Sequence, residues 1–144
     1  MYLLDTNVVS ELRKVAQGRA NPQVVAWANS VLATQLFISA ITVLELELGV
    51  GLMERRDAHQ GALLRRWLQE QVLPAFDGRV LPVDTAVAQR CAGLHIPNPQ
   101  PDRDALIAAT AAVHGLTLVT RNTADFMATG VKWLNPWDTA DGAT

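Results

Sequence analysis

The chain has 144 residues and a formal charge of −2, a length typical of one domain. A hydrophobic fraction of 49% against 18% charged residues excludes a disordered chain, and a single cysteine, Cys91, excludes both an internal disulfide and a cysteine-built zinc site. The most apolar run, Ile38 to Leu44, is broken by Glu45 and Glu47, short of the roughly 20 residues that span a bilayer; the N-terminus has no basic, then apolar, then small-residue order, so a reducing, cytoplasmic setting without a membrane partner is expected.

In chain order, Tyr2-Leu3-Leu4 reads as a buried strand ending at the polar Asp5-Thr6-Asn7, followed by a short helix near Val8 to Arg13. Asn21-Pro22 joins an N-cap residue to a proline at the first helical position, predicting a helix from Pro22 to about Ala33 that buries Val24, Val25, Ala28, Val31 and Leu32. Leu36-Phe37-Ile38 is a second strand, ending at Ser39. Ile41 to about Glu54 and Ala58 to Leu73 read as helices separated by the charged Arg55-Arg56-Asp57, the second closed by Pro74. The pair forms a helical hairpin whose leucines, valines, Met53 and Trp67 offer an apolar surface to a protein partner or a second protomer. Arg79 to Val83 is a third strand, and Thr85 to about Leu94 a helix. After the proline loop Asn98 to Pro101, a small-residue helix runs from Asp104 to His114 and stops at Gly115. Leu116 to Val119, a helical turn near Ala124 to Ala128, and Val131 to Leu134 complete the pattern. Short strands alternating with longer helices predict an α/β fold with a mostly parallel central sheet of about five short strands, flanked by helices. One domain is expected over residues 1–137, with 138–144 as a frayed tail.

Open α/β sheets bind ligands beyond the carboxyl ends of their strands, and acidic or amide residues recur there: Asp5 after the first strand, Glu45 in the helix after the second, Asp104 opening the small-residue helix, and Asn122 and Asp125 after the fourth. Each has a plainer reading as a helix cap, a first-turn acid or a surface group, and Asp102 is the better pure N-cap. Glu45 and Glu47 lie about 200° apart on a helix and cannot face one site; Thr42 and Gly49 share the Glu45 face, the glycine opening space beside the carboxylate. Oxygen ligands without histidine or cysteine suit a hard cation, Mg²⁺ or Mn²⁺, and such ions can activate water against a phosphodiester. The acidic charge balance argues against a broad cationic nucleic-acid surface, but a metal held by these acids would attract phosphate regardless. His59, His95 and His114 are scattered without ligand spacing, Cys91 reads as a small core residue, and the Arg55-Arg56 and Arg65-Arg66 pairs read as solvated helix faces.

The opening Leu3-Leu4-Asp5-Thr6-Asn7-Val8-Val9-Ser10-Glu11 resembles that of PIN-domain ribonucleases, in particular the VapC and FitB-type toxins of bacterial toxin–antitoxin pairs. Ser39 to Val50, Asp104 to Ala111, Thr120 to Phe126 and Asn135-Pro136-Trp137 are similar to the later motifs of that family, in the family's order and over almost the whole chain. The resemblance implies a PIN fold, Mg²⁺ or Mn²⁺ dependence, endoribonuclease activity, and inhibition by a cognate antitoxin. It implies DNA contact only indirectly, through the antitoxin, and a homodimer or higher homo-oligomer. It assigns Asp5, Glu45 and Asp104 to the acidic core. At the fourth acidic place the family's aspartate is replaced by Asn122, so either its carbonyl or the charge of Asp125 completes the site. Thr6, Asn7 and Thr120 are polar neighbours of the metal or substrate, and Arg121 is a contact to the phosphate backbone or a solvated arginine. The alternative is a PIN module with little or no catalysis, acting mainly as the partner in an antitoxin–DNA repressor complex. An aspartyl phosphohydrolase would need a second Asp where Asn7 stands, and a phospho-receiver a lysine where Thr120-Arg121-Asn122 offers none.

Overall fold

A computed structural model describes residues 1–138. Its five strands are β1 (Tyr2–Leu4), β2 (Leu36–Ser39), β3 (Val80–Leu81), β4 (Thr117–Val119) and β5 (Trp133–Leu134). All pair in parallel, in the order β3-β2-β1-β4-β5. Winding proceeds outward from β1 to β3, then crosses back to continue on the other side of β1. The switch point therefore lies between β1 and β4, where Leu4 pairs with Val119 and the helices diverge to leave a crevice.

The period-2 alternation of strand side chains divides the core between the two faces of the sheet. Leu4, Ile38 and Val119 point to one face, against Val8, Val9, Trp27, Leu46 and Leu68. Leu3 and Leu118 point to the other, against Ile107, Ala108, Ala111 and Phe126. The first face carries the helices α1 (Thr6–Leu12), α2 (Pro22–Asn29), α3 (Ala40–Arg56) and α4 (Ala58–Trp67). The second carries α7 (Asp102–His114), whose alanines let its backbone lie close to the strands, with α6 (Thr85–Leu94) outside it through Val87 and Cys91. Cys91 is buried, as a small core residue should be. No helix of the described residues is long and apolar enough to cross a membrane.

Several boundaries differ from the sequence reading, each for a local reason. The second helix ends at Asn29 rather than Ala33 because the Ser30 hydroxyl donates to the Trp27 carbonyl and terminates it; Leu32 is consequently exposed, not buried. Pro74 does not close the second arm of the hairpin. A wider π turn over Leu68–Val72 accommodates the ring, and helix resumes as α5 (Leu73–Ala75). β3 has two residues, not five: Pro82 has no N–H for the ladder. Before it, the Arg79 guanidinium donates to the carbonyls of Ala33 and Leu36 at 2.6 and 2.5 Å, and to that of Ala75. β5 likewise shrinks to Trp133–Leu134, since Gly130 turns the chain at φ 71° immediately upstream. The small-residue helix begins at Asp102, with Pro101 at the N-cap, so Asp102 is a first-turn acid and not the cap. The tail beyond Asp138 lies outside the described residues.

The α3–α4 hairpin closes through one glycine and one arginine. A Cβ on Gly61 would fall 2.4 Å from the Glu54 Cα, so only glycine permits this approach. Arg65 spans the pair, 2.6 Å from Glu47 and 3.1 Å from Glu54. Leu44, Leu48, Leu52 and Leu63 remain exposed on the hairpin, whereas Met53 and Trp67 are partly covered.

Candidate active site

The crevice at the β1–β4 switch point is an open cleft of about 410 Å³ that contains Asp5, Glu45, Asp104 and Asn122. Four elements deliver them. Asp5 stands at the end of β1 as the N-cap of α1, its Oδ1 accepting from the Thr6 backbone N–H at 2.8 Å. Glu45 projects from the second turn of α3, which begins where Ser39 accepts from the Ile41 N–H. Asp104 lies in the first turn of α7. Asn122 is the N-cap of the short α8 (Thr123–Phe126), beyond β4. Asp5 thus both caps a helix and faces the cleft.

The polar residues around Asp5 and Glu45 orient these carboxylates. The Thr120 hydroxyl, fully buried, donates to Asp5 Oδ2 at 2.7 Å. Asn7 Nδ2 donates to the same oxygen at 3.3 Å, and its Oδ1 accepts from the Arg121 backbone N–H at 3.3 Å, tying the start of α1 to the loop after β4. Thr120 Oγ1 also accepts from the Asn122 N–H at 3.0 Å, which fixes the amide at the cleft edge. The Thr6 hydroxyl donates to Glu45 Oε1 at 2.6 Å and lies 3.2 Å from Thr42 Oγ1. Gly49 lines the cleft on the Glu45 side, while Glu47 is turned away and paired with Arg65.

The electrostatics are those of acids crowded together. Burial raises the pKa of Asp5, aided by the Glu45 charge, and the hydrogen bonds from Thr120, Thr6 and Asn7 offset part of that rise. Asp104 is pushed up to about 6, first by burial and then by the charges of Asp5, Asp125 and Glu45. Its carboxylate has no hydrogen-bond or ion-pair partner among the described residues. Asp125 is exposed on α8 and adds charge beside Asp104 without lining the cleft, whereas Asn122 lines it. Among the described residues, no three acidic, histidine or cysteine side chains stand close enough to share one ion as placed. The donor set itself fits a hard divalent cation: Asp5, Glu45 and Asp104 present carboxylate oxygens, Asp104 is unpartnered among the described residues, and a dication would cancel the mutual repulsion.

Sequence reading missed Ser10 and Arg103 in the cleft lining. Ser10 could have been found from its helical spacing, one turn after Thr6 and Asn7 on α1. Arg103 precedes Asp104 directly, and only the placement of α7 against α3 brings it to Glu45, its Nη1 lying 3.8 Å from Oε2. Arg121, read as either a contact to the phosphate backbone or a solvated arginine, stacks its guanidinium 5.1 Å from the Trp137 ring centroid and acts electrostatically on Glu11. Its side chain does not line the cleft.

A parallel 3-2-1-4-5 sheet with acids gathered in a cleft at its switch point defines an α/β domain. Residues 2–131 match the PIN domain family model, and the chain belongs to that family. It is 40% identical to Toxin FitB of Neisseria gonorrhoeae over 142 residues, covering 95% of this chain and 99% of that one. It is 39% identical to VapC ribonuclease Y4jK of Sinorhizobium fredii, covering 97% and 100%. The crystal structure of FitAcB from Neisseria gonorrhoeae contains a chain that superposes with a TM-score of 0.86 at 40% identity, over 96% of this chain and 99% of that one.

Proposed function

We propose that this protein is the toxin of a toxin–antitoxin pair and a metal-dependent endoribonuclease. The observation that supports it most is the meeting of Asp5, Glu45 and Asp104, up to 99 positions apart in sequence, in one cleft at the switch point of the sheet. Relatives matching 95% and 97% of the chain are named as a toxin and a ribonuclease.

Asp5 and Asp104, with Glu45, would hold Mg²⁺ or Mn²⁺, while Asn122 offers a neutral carbonyl where a fourth acid is absent. Asp125 supplies charge from outside the lining. A divalent ion bound there supplies a polarised water and neutralises charge on the scissile phosphodiester. The protein does the rest by positioning. Thr120, Asn7 and the Thr6 N–H hold Asp5 in one rotamer and favour its ionised form. The Thr6 hydroxyl occupies Glu45 Oε1, which leaves Oε2 to orient the attacking water and accept its proton. The Asn7 side chain, accepting from the Arg121 backbone N–H, fixes the cleft wall carried by the loop after β4.

The partner in this reading is a small cognate antitoxin, as in the FitAB complex bound to a DNA fragment. DNA is contacted through that partner, and the exposed leucines of the α3–α4 hairpin serve association with it or with a second copy of the chain. One observation favours a second reading, in which the chain acts mainly within a repressor complex: Asn122 leaves the cleft one charge short of a four-acid site.

Cleavage of single-stranded RNA with Mg²⁺ or Mn²⁺, beside Asp5→Asn, separates the readings. Metal-dependent cleavage lost in the variant supports the nuclease. No cleavage by the native protein at any metal concentration, with antitoxin and operator binding intact, supports the second reading.

A further inference from the structure

The described arginines are mostly committed elsewhere. Arg65 is held by two glutamates, Arg79 by three carbonyls, and Arg13 and Arg121 lie over Trp67 and Trp137. Arg103 differs. It is the cation in the lining of the acidic cleft, its side chain is half exposed, and its one ion pair among the described residues is the loose 3.8 Å approach to Glu45 Oε2, beyond hydrogen-bond reach. It sits in the first turn of α7, directly before Asp104.

We propose that Arg103 is the phosphate-binding residue of this cleft, parked on Glu45 in the free protein and passed to the RNA backbone when a divalent ion engages the acids. The inference rests on the nuclease reading above. A guanidinium on Glu45 competes with a dication for the same carboxylate, and the dication carries the larger charge. Released from Glu45, the side chain remains at the cleft mouth, where its planar fork can pair with two non-bridging phosphate oxygens. The exchange keeps a positive group beside each anion throughout, so neither Glu45 nor the arriving phosphate is left uncompensated in a partly buried site. Arg103 also gives this acidic protein a cation at the place where RNA must lie.

The test uses the full chain and the variants Arg103→Gln and Arg103→Lys. Mn²⁺ affinity is read by calorimetry. Affinity for a short fluorescein-labelled single-stranded RNA of mixed sequence is read by anisotropy in Ca²⁺, with the RNA checked for integrity, across a salt series. Arg103→Gln should bind Mn²⁺ about 3- to 10-fold more tightly, having lost the competing cation. It should bind RNA more weakly, with the slope of log affinity against log salt shallower by about 0.7, the signature of one lost phosphate contact on a single strand. Arg103→Lys should restore the slope but not the full affinity, because an ammonium cannot pair bidentately. If native protein binds Mn²⁺ and RNA but Arg103→Gln changes neither the metal affinity nor the slope, the arginine is only a structural partner of Glu45 and the assignment falls alone. If the native protein binds no Mn²⁺, the nuclease reading falls and takes this assignment with it.

Discussion

Replacing Asp104 with asparagine should stabilise the metal-free protein and abolish its stabilisation by metal. The Asp104 carboxylate receives no hydrogen bond and faces Asp5, Asp125 and Glu45. Burial first, and these charges second, move its pKa from 3.8 to about 6. A carboxyl raised in this way favours folding as the neutral acid. The cost of ionising it accrues as pH rises from the unfolded value toward the folded one, and is complete above about pH 6. A rise of that size corresponds to at most about 3 kcal/mol. The cleft is open to solvent, so screening reduces the expected cost to about 1–2 kcal/mol. Asparagine is nearly isosteric and removes the charge. In EDTA at neutral pH, Asp104→Asn should therefore be more stable by about 1–2 kcal/mol, with Tm higher by about 3–6 °C. The advantage should shrink as pH falls below about 6 and vanish below the unfolded value of 3.8, where Asp104 is protonated in both states. Adding Mn²⁺ should reverse the order, since native protein gains stability by mass action and the variant lacks a principal ligand. Denaturation followed by tryptophan fluorescence, with and without Mn²⁺ across this pH range, reads all three effects. A variant less stable than native in EDTA at neutral pH, or one that gains as much from Mn²⁺, refutes the reasoning.

Thr120→Val removes the buried hydroxyl that donates to Asp5 Oδ2 and accepts from Asn122. It should lower stability at neutral pH by about 1.5–3 kcal/mol in denaturant melts and reduce RNA cleavage; unchanged values in both would mean that Asp5 is oriented by other groups. Gly61→Ala places a methyl 2.4 Å from the Glu54 Cα and should cost about 1–3 kcal/mol by forcing the hairpin apart, visible as a lower urea midpoint. Leu44→Lys with Leu52→Lys charges an exposed apolar stripe on α3 and should shift the protein to smaller species in analytical ultracentrifugation, or weaken antitoxin binding, without lowering Tm. Unaltered association would assign the stripe no role as an interface.

What the amino-acid order determined by itself was the alternation of short apolar strands with longer helices, and the identity of the acids at the strand ends. Those signals are local. Tyr2-Leu3-Leu4 stops at Asp5, Asn21-Pro22 starts a helix and Gly115 stops one, each through backbone chemistry contained within a few residues. Angular spacing alone separates Glu45 from Glu47, and the pairing of Glu47 with Arg65 on the far side agrees with it. Tertiary structure decided the rest, because the deciding partners are distant in the chain. Pro74 reads as a helix stop, yet a π turn carries the helix through it. Arg121 reads equally as a phosphate contact or a solvated arginine, and only the tertiary structure sets its guanidinium over the Trp137 ring. Arg103 has no local mark as a cleft residue, and joins the lining only when α7 docks beside α3 and sets it against Glu45. The placement of Asn122 and Asp125 was likewise geometric: both follow β4, but of the two only Asn122, at the N-cap, lines the cleft. Local order chose the elements and supplied the acids; the crossover at the β1–β4 switch point set which of them share a field, because charge acts through space and not along the chain.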